Sequence, residues 1–130
     1  MTAHWTADER TLRAQLEAGQ TVVVNRAKAG PHARLWPWAV QEGLATYVGR
    51  PDRWGRWPGS PWANPYPLPK TATTAERLEV IARYARHLEQ SPGLLARIGE
   101  LRGRALGCWC RPLACHADVL AAHANQQDFR

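Results

Sequence analysis

The sequence predicts a small single-domain α/β sandwich, in which a short, mainly parallel sheet is flanked by helices. Three observations lead there. The chain has 130 residues, which suits one domain (1–130) with one core. The run "TVVVN" (Thr21 to Asn25) is β-branched and apolar almost without alternation, as in a strand covered on both faces of a parallel sheet. Strand-like runs then alternate with helix-like stretches along the chain, with no internal repeat.

The elements follow in order. Thr6-x-x-Glu9 is a capping box, and Leu12 and Leu16 continue it at helical spacing, which predicts an N-terminal helix over 7–18 closed by Gly19. After the strand at 21–25, Pro31 and Pro37 interrupt the pattern, although "WAVQEGL" suits one or two helical turns. "ATYV" (Ala45 to Val48) reads as a second strand, ended by Gly49-Arg50. The stretch 50–70 is an ordered loop, since six of ten prolines exclude a regular element while its tryptophans supply surface that packs. Thr73-x-x-Glu76 opens a helix with Leu78, Ile81, Ala85 and Leu88 as its buried stripe. Ser91-Pro92 opens the next, with Leu94, Ile98 and Leu101 facing inward and Gly103 closing it. "RALGCWC" is the third strand and "HADVLAAHA" the last helix, so residues 104–124 form a strand-turn-helix unit.

Composition narrows the function classes. No apolar run approaches the roughly 18 residues that span a bilayer. The start "MTAHWTADER" lacks the basic and apolar regions of a signal peptide, so a cytoplasmic protein with reduced thiols and no membrane partner is expected. The net charge is +6, and 15 of 17 basic residues are Arg. Guanidinium groups grip phosphates and carboxylates in a fork geometry, which makes nucleotides or nucleic acid the first partners to consider. Five of seven tryptophans (Trp36, Trp38, Trp54, Trp57 and Trp62) fall in one 27-residue stretch.

All three cysteines lie in "CWCRPLACH", Cys108 to His116. On a strand, Cys108 and Cys110 share a face, and Trp109 is expected to point the other way, into the core. The turn through Pro112 then brings Cys115 and His116 to the start of the last helix, where backbone N–H groups favour a thiolate. Three readings stay open. Cys108, Cys110, Cys115 and His116 are a normal zinc set; three thiolates without His116 suit a catalytic zinc or an iron–sulfur cluster. Without a metal, Cys115 is a nucleophile, or a redox pair with Cys108 or Cys110. Cysteines also serve simply as small apolar residues at a junction. The pattern His87-x-Glu89 ahead of these cysteines is not a base-deaminase signature, because the Pro-Cys-x-x-Cys half is missing.

In a parallel sheet the strand ends gather ligand-binding residues at one edge. That edge would carry Asn25 and Arg26, then Gly49 and Arg50 with the Trp/Pro loop, then the cysteines. Arg50 is a candidate phosphate or carboxylate contact, Asn64 and Asn25 are candidates to read a base or sugar edge, and Trp54 and Trp57 to stack on bases. Each has a structural counterpart, respectively a surface arginine, a turn former and a loop pin. Asp118 either orients His116 or complements the helix start.

The Gly49-Arg50 strand end, the turn Asn64-Pro65-Tyr66, Leu101-Arg102-Gly103, and Cys108-Trp109-Cys110-x-Pro112-x-x-Cys115-His116-x-Asp118-Val119 together resemble an uncharacterised domain family of bacteria and their phages. The resemblance covers most of the chain after the first helix. It implies this fold and this cysteine site, and no reaction. The stretch from Arg50 to Asn64 is longer and richer in Trp than the family's usual loop. The expectation is therefore a small enzyme acting on a nucleotide, nucleobase derivative or nucleic-acid end through a metal or thiolate site. A non-catalytic nucleic-acid-binding module with structural zinc, and a metal-free thiol-redox or Cys-nucleophile enzyme, are the alternatives.

Overall fold

A computed structural model describes residues 4–49, 60–66, 68, 71–110 and 113–126. Among them, helix α1 (Ala7–Glu17) leads into strand β1 (Val22–Asn25), helix α2 (Leu35–Gln41) and strand β2 (Ala45–Tyr47). Helix α3 (Thr74–Glu89), the single turn α4 (Pro92–Leu95) and a 3-10 turn (Ile98–Leu101) precede strand β3 (Ala105–Cys108) and helix α5 (His116–Gln126). The strands lie in the order β1-β3-β2, and both pairings are parallel. Val23 pairs with Leu106 and Thr46 with the same Leu106 from the other side, so the last strand in sequence is the central one. The expected α/β architecture holds, and all three strand ends point to one edge.

Alternation along the strands divides the core in two. Val22, Val24 and Ala105 face Leu16, Leu35 and Ala39 under α1 and α2. Val23, Leu106 and Cys108 face Tyr84, Leu88, Ile98, Leu101 and Leu120 from α3, the 3-10 turn and α5. Covering both faces is what the unbroken apolar run of β1 required. Both capping boxes form, Thr6 with Glu9 and Thr73 with Glu76.

Four local expectations need correction. Pro37 sits inside α2, in its first turn, where its missing N–H has no intrahelical partner to lose. The helix expected from Ser91 to Gly103 is two short pieces, α4 and the 3-10 turn. Leu78 is exposed, and Tyr84 with Leu88 forms the buried part of α3, so the face that meets the core is rotated from the aliphatic stripe. Tyr84 resolves the mismatch by donating its hydroxyl to the Trp62 carbonyl (2.7 Å), which satisfies the one polar atom it buries. Finally, β3 ends at Cys108, two residues early, so Trp109 stands at the sheet edge and not in the core.

Glu9 does more than cap its own helix. It is 1 % exposed. Oε1 accepts from the Thr6 N–H (3.0 Å), and Oε2 accepts from the N–H groups of Arg34 (2.9 Å) and Leu35 (2.8 Å) at the start of α2. Burial acts to raise its pKa, but the backbone donors of Thr6, Leu35 and Arg34 outweigh that and hold the carboxyl below its ordinary range. Asn125 of α5 exchanges two hydrogen bonds with the Thr21 backbone, one residue before β1.

Candidate functional site

The site forms where β3 runs out. Cys108 is the last strand residue, and its side chain falls on the α3/α5 face, where Cys110 and Cys115 pack beside it. Leu113 N–H bonds back to the Cys110 carbonyl (2.7 Å), closing the turn toward α5. Cys115 caps that helix: Asp118 Oδ2 accepts from the Cys115 N–H (3.0 Å), and the Asp118 N–H donates to the Cys115 carbonyl. Asp118 therefore complements the helix start. Residues 111 and 112 of the turn lie outside the described residues.

The three thiols are hydrogen-bonded through Cys115, whose side chain reaches both Cys108 and Cys110. Of the three, Cys110 is the thiol whose ionisation is favoured. Its pKa is pushed down to about 6, first by the bond from Cys115, then by a bond and the positive charge of Arg77; burial and the Asp118 charge oppose this. Cys115 moves the other way. Its bonds to Cys108 and Cys110, its burial and the charge on its neighbours hold the proton on sulfur. Arg77 is anchored for its role by donating from Nη1 to the Ala114 carbonyl (3.1 Å). Nothing in the sequence marked Arg77, since its position in the first turns of α3 becomes meaningful only once α3 packs beside the cysteine turn.

His116 turns toward β2. Its Nε2 donates to the Val48 carbonyl (2.8 Å), and its ring meets the Tyr84 ring at a centroid distance of 4.9 Å. Consecutive helical residues diverge by about 100°, which carries this ring away from the direction of Cys115. No group of three or more His, Cys, Asp or Glu side chains among the described residues is arranged as a metal-holding set.

Asn25 ties the first strand end to the third. Its Oδ1 accepts from the Ala27 N–H (2.8 Å), an Asx turn, and its Nδ2 donates to the Trp109 carbonyl (3.4 Å). His32, to which the sequence reading assigned nothing, is buried and accepts at Nδ1 from the Asn25 N–H (2.8 Å) while Nε2 meets Asp8 Oδ2 (2.7 Å). Asn64 Oδ1 accepts from the Tyr66 N–H (2.9 Å), again an Asx turn, and the Tyr66 ring stands edge-on to His87 of α3. The candidate contacts Arg50, Trp54 and Trp57 lie outside the described residues.

Trp109 is not in the core. It is 55 % exposed and covers Arg26, whose guanidinium carbon lies 4.9 Å from the Trp109 ring, 4.8 Å from Tyr47 and 5.6 Å from Trp36. Two glycines make room for these rings. A Cβ on Gly107 would stand 2.7 Å from Trp36 Cζ3, and one on Gly49 would stand 2.7 Å from Tyr47 Cε1.

A parallel three-stranded α/β domain with a thiol cluster at the carboxyl edge of its sheet is the class these features define. The chain belongs to the family described as a domain of unknown function, DUF4326, whose model matches residues 32–126. No curated protein and no solved structure matches the chain. The matched region holds β2, β3, the cysteine turn and α2 to α5, while α1 and β1, with Asn25 and Arg26, precede it. No helix among the described residues is long and apolar enough to cross a membrane.

Proposed function

We propose that the chain is a cytoplasmic enzyme that acts on a nucleotide, a nucleobase derivative or a nucleic-acid end through Cys110. One observation carries this reading: at the carboxyl edge of a parallel sheet, the half-buried Cys110 sulfur has both a thiol donor, Cys115, and a guanidinium, Arg77, beside it. In this reading Cys110 is the nucleophile, Cys115 keeps its proton and donates it as a hydrogen bond, and Cys108 holds Cys115 from the far side. The net charge of +6 favours an anionic substrate. Arg50, Asn64, Trp54 and Trp57 are its proposed contacts, while Asn25, buried and bonded to Ala27 and Trp109, shapes the sheet edge instead of touching the substrate.

A second reading uses the same sulfurs. Cys115 reaches both Cys108 and Cys110, so the three sulfurs would hold a zinc ion or an iron–sulfur cluster after some rearrangement, with His116 left on Val48. Such a metal would serve either chemistry or, structurally, a nucleic-acid-binding module.

Two measurements on anaerobically purified protein test the proposal. Elemental analysis is expected to find zinc and iron well below one per chain. Iodoacetamide labelling resolved by peptide mass spectrometry is expected to modify Cys110 first, and nucleoside monophosphates are expected to slow that labelling in proportion to their occupancy. One metal per chain would shift the assignment to the metal reading. Labelling that no nucleotide or single-stranded nucleic acid slows would overturn the substrate class.

A further inference from the structure

Trp109 presents a large aromatic face to solvent at the carboxyl edge of the sheet, and three contacts fix its position. Its indole N–H donates to the Tyr47 hydroxyl (3.2 Å), its carbonyl accepts from Asn25 Nδ2 (3.4 Å), and one ring face rests on the Arg26 guanidinium (4.9 Å). Arg26 is itself 9 % exposed and set between Trp36, Tyr47 and Trp109, and its N–H is bonded to the Cys108 carbonyl (2.8 Å). The ring is thus the outer leaf of a stack built on the sheet edge.

An exposed indole ordinarily contributes little to binding, because ordering it costs free energy that the contact must recover. Here the side chain is already ordered. Its inner face is occupied by a cation, and Trp109 remains 55 % exposed, which leaves the outer side open. A cation on one face draws ring electron density toward itself, which favours an electron-rich ring on the other. Cys110 is the next residue, so a flat ligand on this face sits at the same carboxyl edge of the sheet as the thiols.

We infer that Trp109 is the stacking platform for the heteroaromatic base of the substrate, with Tyr47 and Arg26 as the residues that hold it in place. This rests on the thiol-site reading above and names the part of the substrate that the site would grip. Base–aromatic stacking supports a change of about tenfold or more in affinity.

The test is calorimetric titration of the full chain with the four ribonucleoside 5′-monophosphates and with ribose 5-phosphate, which has the same phosphate and sugar without a base. At least one nucleotide is expected to bind about tenfold more tightly than ribose 5-phosphate. Trp109→Ala is expected to abolish that preference and leave the binding of ribose 5-phosphate unchanged. Trp109→Phe is expected to keep most of the preference, and Tyr47→Phe, which removes only the pin on the indole, to lose part of it. Should Trp109→Ala not fold, these two milder variants decide the matter by their ranking. A wild-type protein that binds no nucleotide more tightly than ribose 5-phosphate overturns the inference, as does a Trp109→Ala protein that keeps the preference. A wild-type protein whose Cys110 labels with a midpoint near 6 but that shows no base preference would mark a failed stacking platform with an intact thiol site.

Discussion

In a Cys115→Ala variant, Cys110 is expected to titrate about one pH unit or more above the wild-type midpoint of about 6. The bond from Cys115 is the largest influence lowering the Cys110 pKa, and alanine removes it without touching Arg77. Burial, which opposes ionisation, then acts against the guanidinium alone. The readout has to be the midpoint of a pH–rate profile for alkylation, not the rate at pH 7. A thiolate of lower pKa is more abundant but intrinsically less nucleophilic, and the two effects offset each other near neutrality. Cys115→Ser is the informative companion, because its hydroxyl restores a donor and should return part of the shift. An unchanged midpoint in Cys115→Ala would mean that Arg77 carries the ionisation by itself.

Glu9→Ala is expected to lower unfolding free energy by roughly 3 kcal/mol, measured by urea denaturation. The size follows from what the carboxylate holds: three backbone N–H groups, two of them at the start of a different helix. Alanine leaves those donors without their charged acceptor and opens a space beside Leu35, which is fully buried. Glu9→Gln is expected to lose much of the same stability, since its amide N–H₂ is a donor facing donors. The pH dependence has a defined sign. Because the folded state depresses the Glu9 pKa, its contribution is fully present above the unfolded carboxyl value of about 4.3 and is lost as pH falls through the folded value. Wild type should therefore lose stability on acidification through that window more steeply than Glu9→Ala.

The sheet and its edge were legible because they depend on short-range patterns. An unbroken β-branched run, two capping boxes and three strand ends followed by polar residues were enough to place the cysteines at a parallel sheet's carboxyl edge. Features that depend on where an element stops, or on how one helix rotates against another, were not. Trp109 was assigned to the core by continuing the strand's alternation two residues beyond Cys108, where the pairing ends. The stripe on α3 was read from aliphatic residues, but the buried face uses Tyr84, whose hydroxyl has a partner 22 residues away at Trp62. Arg77, Glu9 and His32 act across elements distant in sequence, and their residue types alone carry no sign of it. His116 was legible as a neighbour of the thiols; only the packing shows its Nε2 on Val48.

The reactivity of Cys110 across pH decides whether the thiol cluster is built for chemistry. Wild-type protein, held reduced with a chelator present, is pulsed with iodoacetamide between pH 4.5 and 9, and each cysteine peptide is quantified. The thiol-site account predicts a Cys110 profile with its midpoint near 6 and a Cys115 that stays unreactive across the range. A Cys110 midpoint at the ordinary thiol value of about 8.5, or Cys115 labelled ahead of Cys110, would contradict it.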